Sequence, residues 1–212
     1  MHHWKVYVSN VNFRKSVILG VITLSCILIF FPHFFQYIEK RNGYALNDLL
    51  LPYLPALNLS WPIFIIIWLM AALTIYRCLQ SPAIMLTFLW SYIFLCVSRI
   101  ITIYFIPLAP PGDLIVLQDP ISNQFYGESF VTKDLFFSGH VSTQFLMFLC
   151  LQKKYDKILT ALSTLSIAIM VLIQRVHYTI DVLAAIPLTY FIFVAAKYFI
   201  HRVLKSFANL KV

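Results

Sequence analysis

Charge is scarce in this chain: only 11% of its residues are Asp, Glu, Lys or Arg, against 61% hydrophobic residues. So little charge cannot solvate the surface of a soluble 212-residue domain, and a mean hydropathy of +0.83 excludes that class outright. Cysteine is sparser still, with four residues. Cys26, Cys78, Cys96 and Cys150 all fall within or at the ends of apolar runs, with no spacing that suits a disulfide framework or a metal cage. Internal repeats, low-complexity tracts and a separable soluble segment are also missing. The net charge of +8 does not signal nucleic acid, because its cations are scattered over short loops and do not form a face.

What the chain has in abundance is long apolar runs. Measured against the roughly 20 residues that cross a bilayer as a helix, they predict about six spans, near 15–37, 60–79, 82–106, 135–151, 157–175 and 179–200. The expectation is therefore an all-α, polytopic membrane protein: a six-helix bundle occupying residues 1–212 as one transmembrane domain. The first run follows Lys5, Arg14 and Lys15 but is long, contains Pro32 and lacks a small-residue cleavage site, so it reads as a retained helix. Pro52 and Pro55 mark the stretch 47–60 as interfacial.

With an even number of spans both termini share one side. That side collects Lys5, Arg14, Lys15, Arg77, Lys153, Lys154, Lys157, Arg202, Lys205 and Lys211, which makes it cytosolic. The opposite connections, 38–59 and 108–134, carry Glu39, Asp48, Asp113, Asp119, Glu128 and Asp134 against Lys40, Arg41 and Lys133. On this topology Arg99 lies about two turns, on the order of 10 Å, below the non-cytosolic surface. Ser138-Gly139-His140 opens the fourth span on that surface, and the fifth and sixth spans meet there at Arg175 and His177. Three distant segments thus deliver polar residues to one face at one depth.

The chemistry of those residues is that of phosphoryl transfer. His177 and Asp181 are four apart, so on a helix the carboxylate faces the imidazole, fixes its tautomer and stabilises positive charge on it. His177 is then a plausible nucleophile. Ser138 and Gly139 ahead of an apolar helix present free backbone N–H groups and the positive end of the helix dipole to an anion, with His140 beside it as proton donor or acceptor. Neither a metal nor a cofactor is required. His33 reads as a helix-packing group, and His2, His3 and His201 as surface or interfacial ones.

These segments resemble the sphingomyelin synthase family, a branch of the type 2 phosphatidic acid phosphatase (PAP2) superfamily. The likeness rests on Arg99-Ile100-Ile101-Thr102-Ile103-Tyr104 with Leu108, Pro111 and Gly112, on Asp134 to His140, and on His177-Tyr178-Thr179-Ile180-Asp181-Val182. It runs from Arg99 to Val182. The resemblance implies a six-helix membrane enzyme with a site on the exoplasmic, lumenal or periplasmic side. That enzyme moves phosphocholine or phosphoethanolamine from a glycerophospholipid to ceramide and releases diacylglycerol. By motif, its catalytic group is His140, His177 and Asp181. The partners it implies are a phospholipid donor, a lipid alcohol acceptor and the bilayer. Thr132 and Lys133 stand where eukaryotic members usually have Cys-Gly, and Lys133 places an extra charge near the headgroup site.

The broader phosphatase branch typically carries Lys-x6-Arg-Pro and an arginine six residues before the second histidine. Here no Arg-Pro dipeptide occurs and the residue at that position is Val171. A monoester is nearly dianionic and demands several cations, whereas a diester headgroup carries one charge. Arg99, Arg175 and Lys133 form a small set that suits the diester. Arg99 and the Ser138-Gly139 amides are expected to hold phosphate oxygens, and Arg175 either joins them or snorkels to the interface. Asp134 has three readings: positioning His140, meeting a headgroup cation, or capping the fourth helix. Tyr104 and Tyr178 either face a quaternary ammonium or are ordinary interfacial tyrosines. A hydrolase using water as acceptor keeps the same residues. A transporter would place its ionisable groups near the midplane on repeat-related broken helices, which this chain lacks.

Overall fold

A computed structural model describes residues 2–117 and 131–203. Asp119 and Glu128 of the acidic connection, and Lys205 and Lys211 of the basic set, lie outside the described residues. The described chain forms seven α-helices: α1 (His2–Ser9), α2 (Val11–Lys40), α3 (Ser60–Gln80), α4 (Pro82–Phe105), α5 (Gly139–Cys150), α6 (Lys154–Ile173) and α7 (Thr179–Val203), with a 3-10 turn at Leu51–Tyr53. Among the described residues the only β pairing is one isolated parallel bridge, Tyr44 to Leu108.

Local signals set the helix ends. Asn10 caps α2 by accepting from the amides of Asn12 and Phe13, and Ser81 followed by Pro82 opens α4. α2, α3, α4, α6 and α7 are each long and apolar enough to cross a membrane. The fourth expected span is different. α5 has twelve residues, about 18 Å of rise against a hydrocarbon layer of about 30 Å. Its helix cannot start earlier because the backbone of 136–138 is committed elsewhere: Phe136 and Phe137 carbonyls accept from Thr102 and Arg99, and Ser138 N–H donates to Asp181 O. So short a helix is tolerated because protein surrounds it. α5 packs against α3, α4, α6 and α7.

α4 is the second central element, contacting α1, α2, α3, α5 and α7. The main core lies between α3, α4, α5, α6 and α7, with Ile63, Leu95, Phe137, Val141, Leu146, Ile167 and Ala185 at its centre. A second cluster packs Phe31, Phe34, Phe35 and Ile38 of α2 against Cys96 and Ile103 of α4. At one end of the bundle, Arg77 grips Asp156 through two hydrogen bonds of 2.7 and 3.0 Å, and Trp4 Nε1 donates to Leu79 O. At that same end Lys157 Nζ reaches the Phe148 carbonyl near the foot of α5. α6 rises about 30 Å from there, so the top of α5 stops short of it and the segment 134–138 fills the difference.

The other end is built of connections. The 41–59 segment is bonded along its length: Tyr44 pairs with 107–109, Leu57 N–H donates to Ile173 O, and Leu59 N–H to the buried Gln174 side chain. It forms a strap tied across the end of the bundle.

Candidate active site

The site assembles at the strapped end, where α4, α5 and the turn into α7 meet. Ser138 is fully buried and caps α5, accepting from Val141 N–H at 3.4 Å. Its own N–H donates to Asp181 O at 3.1 Å, joining the two histidine segments through the backbone. The imidazoles of His140 and His177 consequently face each other, ring centroids 5.8 Å apart at an interplanar angle of 67°.

His177 is 2% exposed and Asp181 is fully buried, with His177 Nδ1 lying 3.5 Å from Asp181 Oδ2. The same Oδ2 accepts from Tyr178 N–H at 2.9 Å, the reciprocal half of a helix-capping arrangement in which the acid three residues on reaches back to the first amide. With Nδ1 turned to the carboxylate, Nε2 is the nitrogen left for chemistry.

Arg99 completes the cluster. Its Nε donates to Phe137 O at 3.1 Å and its Nη2 pairs with Asp134. The guanidinium lies flat against Gly139, so close that a Cβ there would come within 2.5 Å of Arg99 Cζ. Gly139 is therefore needed for approach, not for backbone conformation. Beside Arg99, the first-turn amides of α5 at Gly139 and His140 point out of the helix end, where an anion is stabilised.

The structure separates the remaining expected residues. Asp134 pairs with Arg99, and the cap of α5 is Ser138. Arg175 is engaged by the connections: Nη2 donates to Leu54 O at 3.0 Å and Nη1 lies 3.5 Å from Asp113 Oδ2. Its backbone is left-handed, φ 59°, a conformation that non-glycine residues adopt only when neighbours hold it. Tyr178 is buried, donating to Ala109 O at 3.0 Å and accepting from Leu46 N–H at 3.2 Å. Burial pushes its phenol up, the Leu46 N–H opposes this, and the Asp181 and Asp48 carboxylates add to the rise, so it stays a donor. Tyr104 is half exposed and stacks on Tyr37 with centroids 6.3 Å apart.

The reading of Lys133 as a headgroup-site charge needs correction. Its ammonium donates to Glu39 O at 2.7 Å and Arg41 O at 2.6 Å, capping the carbonyl end of α2, while the Glu39 carboxylate accepts from the Thr132 and Lys133 amides. Thr132 and Lys133 are thus tethers.

Two residues were invisible to sequence reasoning. Asp48 accepts from both the N–H and the hydroxyl of Thr179, at 2.6 and 2.7 Å, and from the Leu50 and Leu51 amides. Gln174 is fully buried and bonds Leu59 N–H and Ser60 Oγ at 2.9 and 2.8 Å. Their long-range partners, 131 and about 115 positions away, leave no mark in the local sequence.

No similar curated protein and no similar solved structure was found. Residues 133–198 match the family model described as PAP2 superfamily C-terminal, a segment that holds Asp134, His140, His177 and Asp181, and this match supports membership of the PAP2 superfamily.

Proposed function

We propose that the protein is a lipid phosphotransferase that moves a phosphocholine or phosphoethanolamine headgroup from a glycerophospholipid to ceramide or a related lipid alcohol, through a phosphohistidine. The match of residues 133–198 to the PAP2 superfamily C-terminal model supports phosphatase or phosphotransferase chemistry on lipids, and the long apolar helices support a membrane setting. The observation that carries the reading is the facing pair His140 and His177, with Asp181 behind the second and Arg99 over Gly139 beside the first.

In the first half, His177 Nε2 attacks phosphorus and the bond from phosphorus to the diacylglycerol oxygen breaks. His140, as imidazolium, gives its proton to that oxygen. Asp181 stabilises the positive charge that forms on the phosphorylated imidazole. In the second half, neutral His140 takes the proton of the acceptor hydroxyl, whose oxygen attacks phosphorus. The phosphorus–nitrogen bond breaks, its electron pair returns to His177, and both histidines recover their starting states. Arg99 and the α5 amides hold the non-bridging oxygens throughout.

Charge supply favours a diester. Arg99 is half neutralised by Asp134, Arg175 is turned toward Asp113, and Lys133 is consumed by carbonyls. Little positive charge is left for a dianionic monoester, whereas one guanidinium and a helix end match a monoanion. The positive-inside distribution supports placing the site on the non-cytosolic face with both termini cytosolic.

The test is purified protein in micelles with phosphatidylcholine or phosphatidylethanolamine, with and without ceramide. Diacylglycerol release together with a ceramide phosphodiester is the expected outcome. Free phosphocholine or phosphoethanolamine at the same rate whatever the acceptor would establish hydrolysis and defeat the transferase reading.

A further inference from the structure

From the hydrogen bonds of the 41–59 strap we infer that Asp48 is a positioning residue for His177, acting through Thr179 at the first turn of α7. This rests on the phosphohistidine reading above and extends it to a segment far from the motifs. Asp48 Oδ2 accepts from Thr179 N–H at 2.6 Å and Oδ1 from the Thr179 hydroxyl at 2.7 Å, across 131 positions of sequence. Leu50 and Leu51 N–H, at 2.9 and 3.0 Å, fix the carboxylate from its own side. An ordinary solvated loop acid would have no use for four donors. Two positions away, Leu46 N–H donates to Tyr178 Oη, so the strap grips two consecutive residues of the histidine motif.

The physical role follows from competition at the helix end. The first amides of α7 have no intrahelical acceptor and must find one nearby. Asp181 Oδ2 takes Tyr178 N–H, while Asp181 Oδ1 is buried with no hydrogen-bond partner among the described residues. With Asp48 removed, Thr179 N–H loses its acceptor, and Asp181, two residues on in the same first turn, carries an oxygen able to replace it. Asp181 would be drawn toward the amides and off His177 Nδ1. Asp48 thus keeps Asp181 available to the imidazole. Burial alone would raise the Asp48 pKa, but the Leu51, Thr179 and Leu50 hydrogen bonds outweigh it and hold the group below the ordinary carboxylate range.

Two measurements on the full-length protein in micelles test this. In the first, diacylglycerol release is followed for wild type, Asp48→Ala, Asp48→Asn, Thr179→Val and the Asp48→Ala/Thr179→Val pair. Asp48→Ala should lower kcat about tenfold or more with donor KM within about twofold. Asp48→Asn, which keeps one acceptor oxygen, should recover part of the loss. The double variant should be no worse than the poorer single one. Unchanged kcat, a loss confined to KM, or multiplicative effects would overturn the inference. The second measurement needs no activity: modification of His177 by diethylpyrocarbonate, mapped by mass spectrometry with His33 as internal reference. Asp48→Ala should accelerate it several-fold and Asp48→Asn less; equal rates in all three proteins refute the positioning role. Wild type that releases no diacylglycerol, yet shows the modification pattern, overturns the phosphotransfer reading and leaves the positioning of His177 by Asp48 intact.

Discussion

Gly139→Ala isolates the geometry on which the site depends. The added Cβ would lie 2.5 Å from Arg99 Cζ and 2.9 Å from Nη2. Carbon contacts become comfortable only near about 3.5 Å, so the guanidinium must withdraw by about 1 Å. A long side chain at a surface would do so freely, but this one is fixed by Phe137 O and by Asp134. Withdrawal costs one of those bonds and moves the cation off the phosphate. Misplacing a binding group by about 1 Å lowers a rate by about a hundredfold, and overpacking costs about 1–3 kcal/mol of stability. The expected outcome is kcat down between about tenfold and a hundredfold, with a modest fall in thermal midpoint, measured as diacylglycerol release and unfolding in micelles. Gly112→Ala is the matched control, since no atom of the described residues lies within 4 Å of its Cβ position, and it should leave both values unchanged. Wild-type kcat in Gly139→Ala would show that Arg99 does not hold phosphate from this position.

His177→Ala should abolish headgroup release and any acid-labile label on the protein from a radiolabelled donor; residual labelling would assign the nucleophile elsewhere. Asp181→Asn keeps the shape but loses the charge behind Nδ1, and kcat should fall about 10²- to 10⁴-fold with KM little changed. Asp156→Ala leaves Arg77 without its bidentate partner at the far end of the bundle, so the thermal midpoint should drop while donor KM holds. Asp48 carries a pH signature: its folded pKa lies below the unfolded value of about 3.9, so its contribution to stability is complete above that value. That contribution disappears as pH falls through the folded pKa. The stability gap between wild type and Asp48→Asn should accordingly be constant from pH 7 to about 5 and close below about pH 4.

Most helix positions were legible because a long apolar run has few alternatives. Five of the expected spans appear within a few residues of where hydropathy puts them. The fourth was misjudged for a reason that hydropathy cannot register. Leu135, Phe136 and Phe137 are as apolar as any helix interior, yet the Phe136 and Phe137 carbonyls serve Thr102 and Arg99 and the segment stays out of the helix. The short helix α1 also escaped, since eight residues carry too little periodicity to announce it.

The site divides in the same way. The order Ser138-Gly139-His140 is a local fact that yields a capped helix start, whereas His177 stands two residues before α7, so its place 3.5 Å from Asp181 comes from the turn into that helix and its cap and not from a shared helical face. Sequence alone also determined the class of environment, because a chain this short of charge has only lipid to bury itself in. Tertiary structure decided which polar groups serve each other. It paired Arg99 with Asp134, withdrew Lys133 and Arg175 to tether loops, and brought Asp48 across the bundle to Thr179. Hydrogen bonds and ion pairs act over about 3 Å, and which groups come that close is fixed by how helices pack and connections cross, not by their order along the chain.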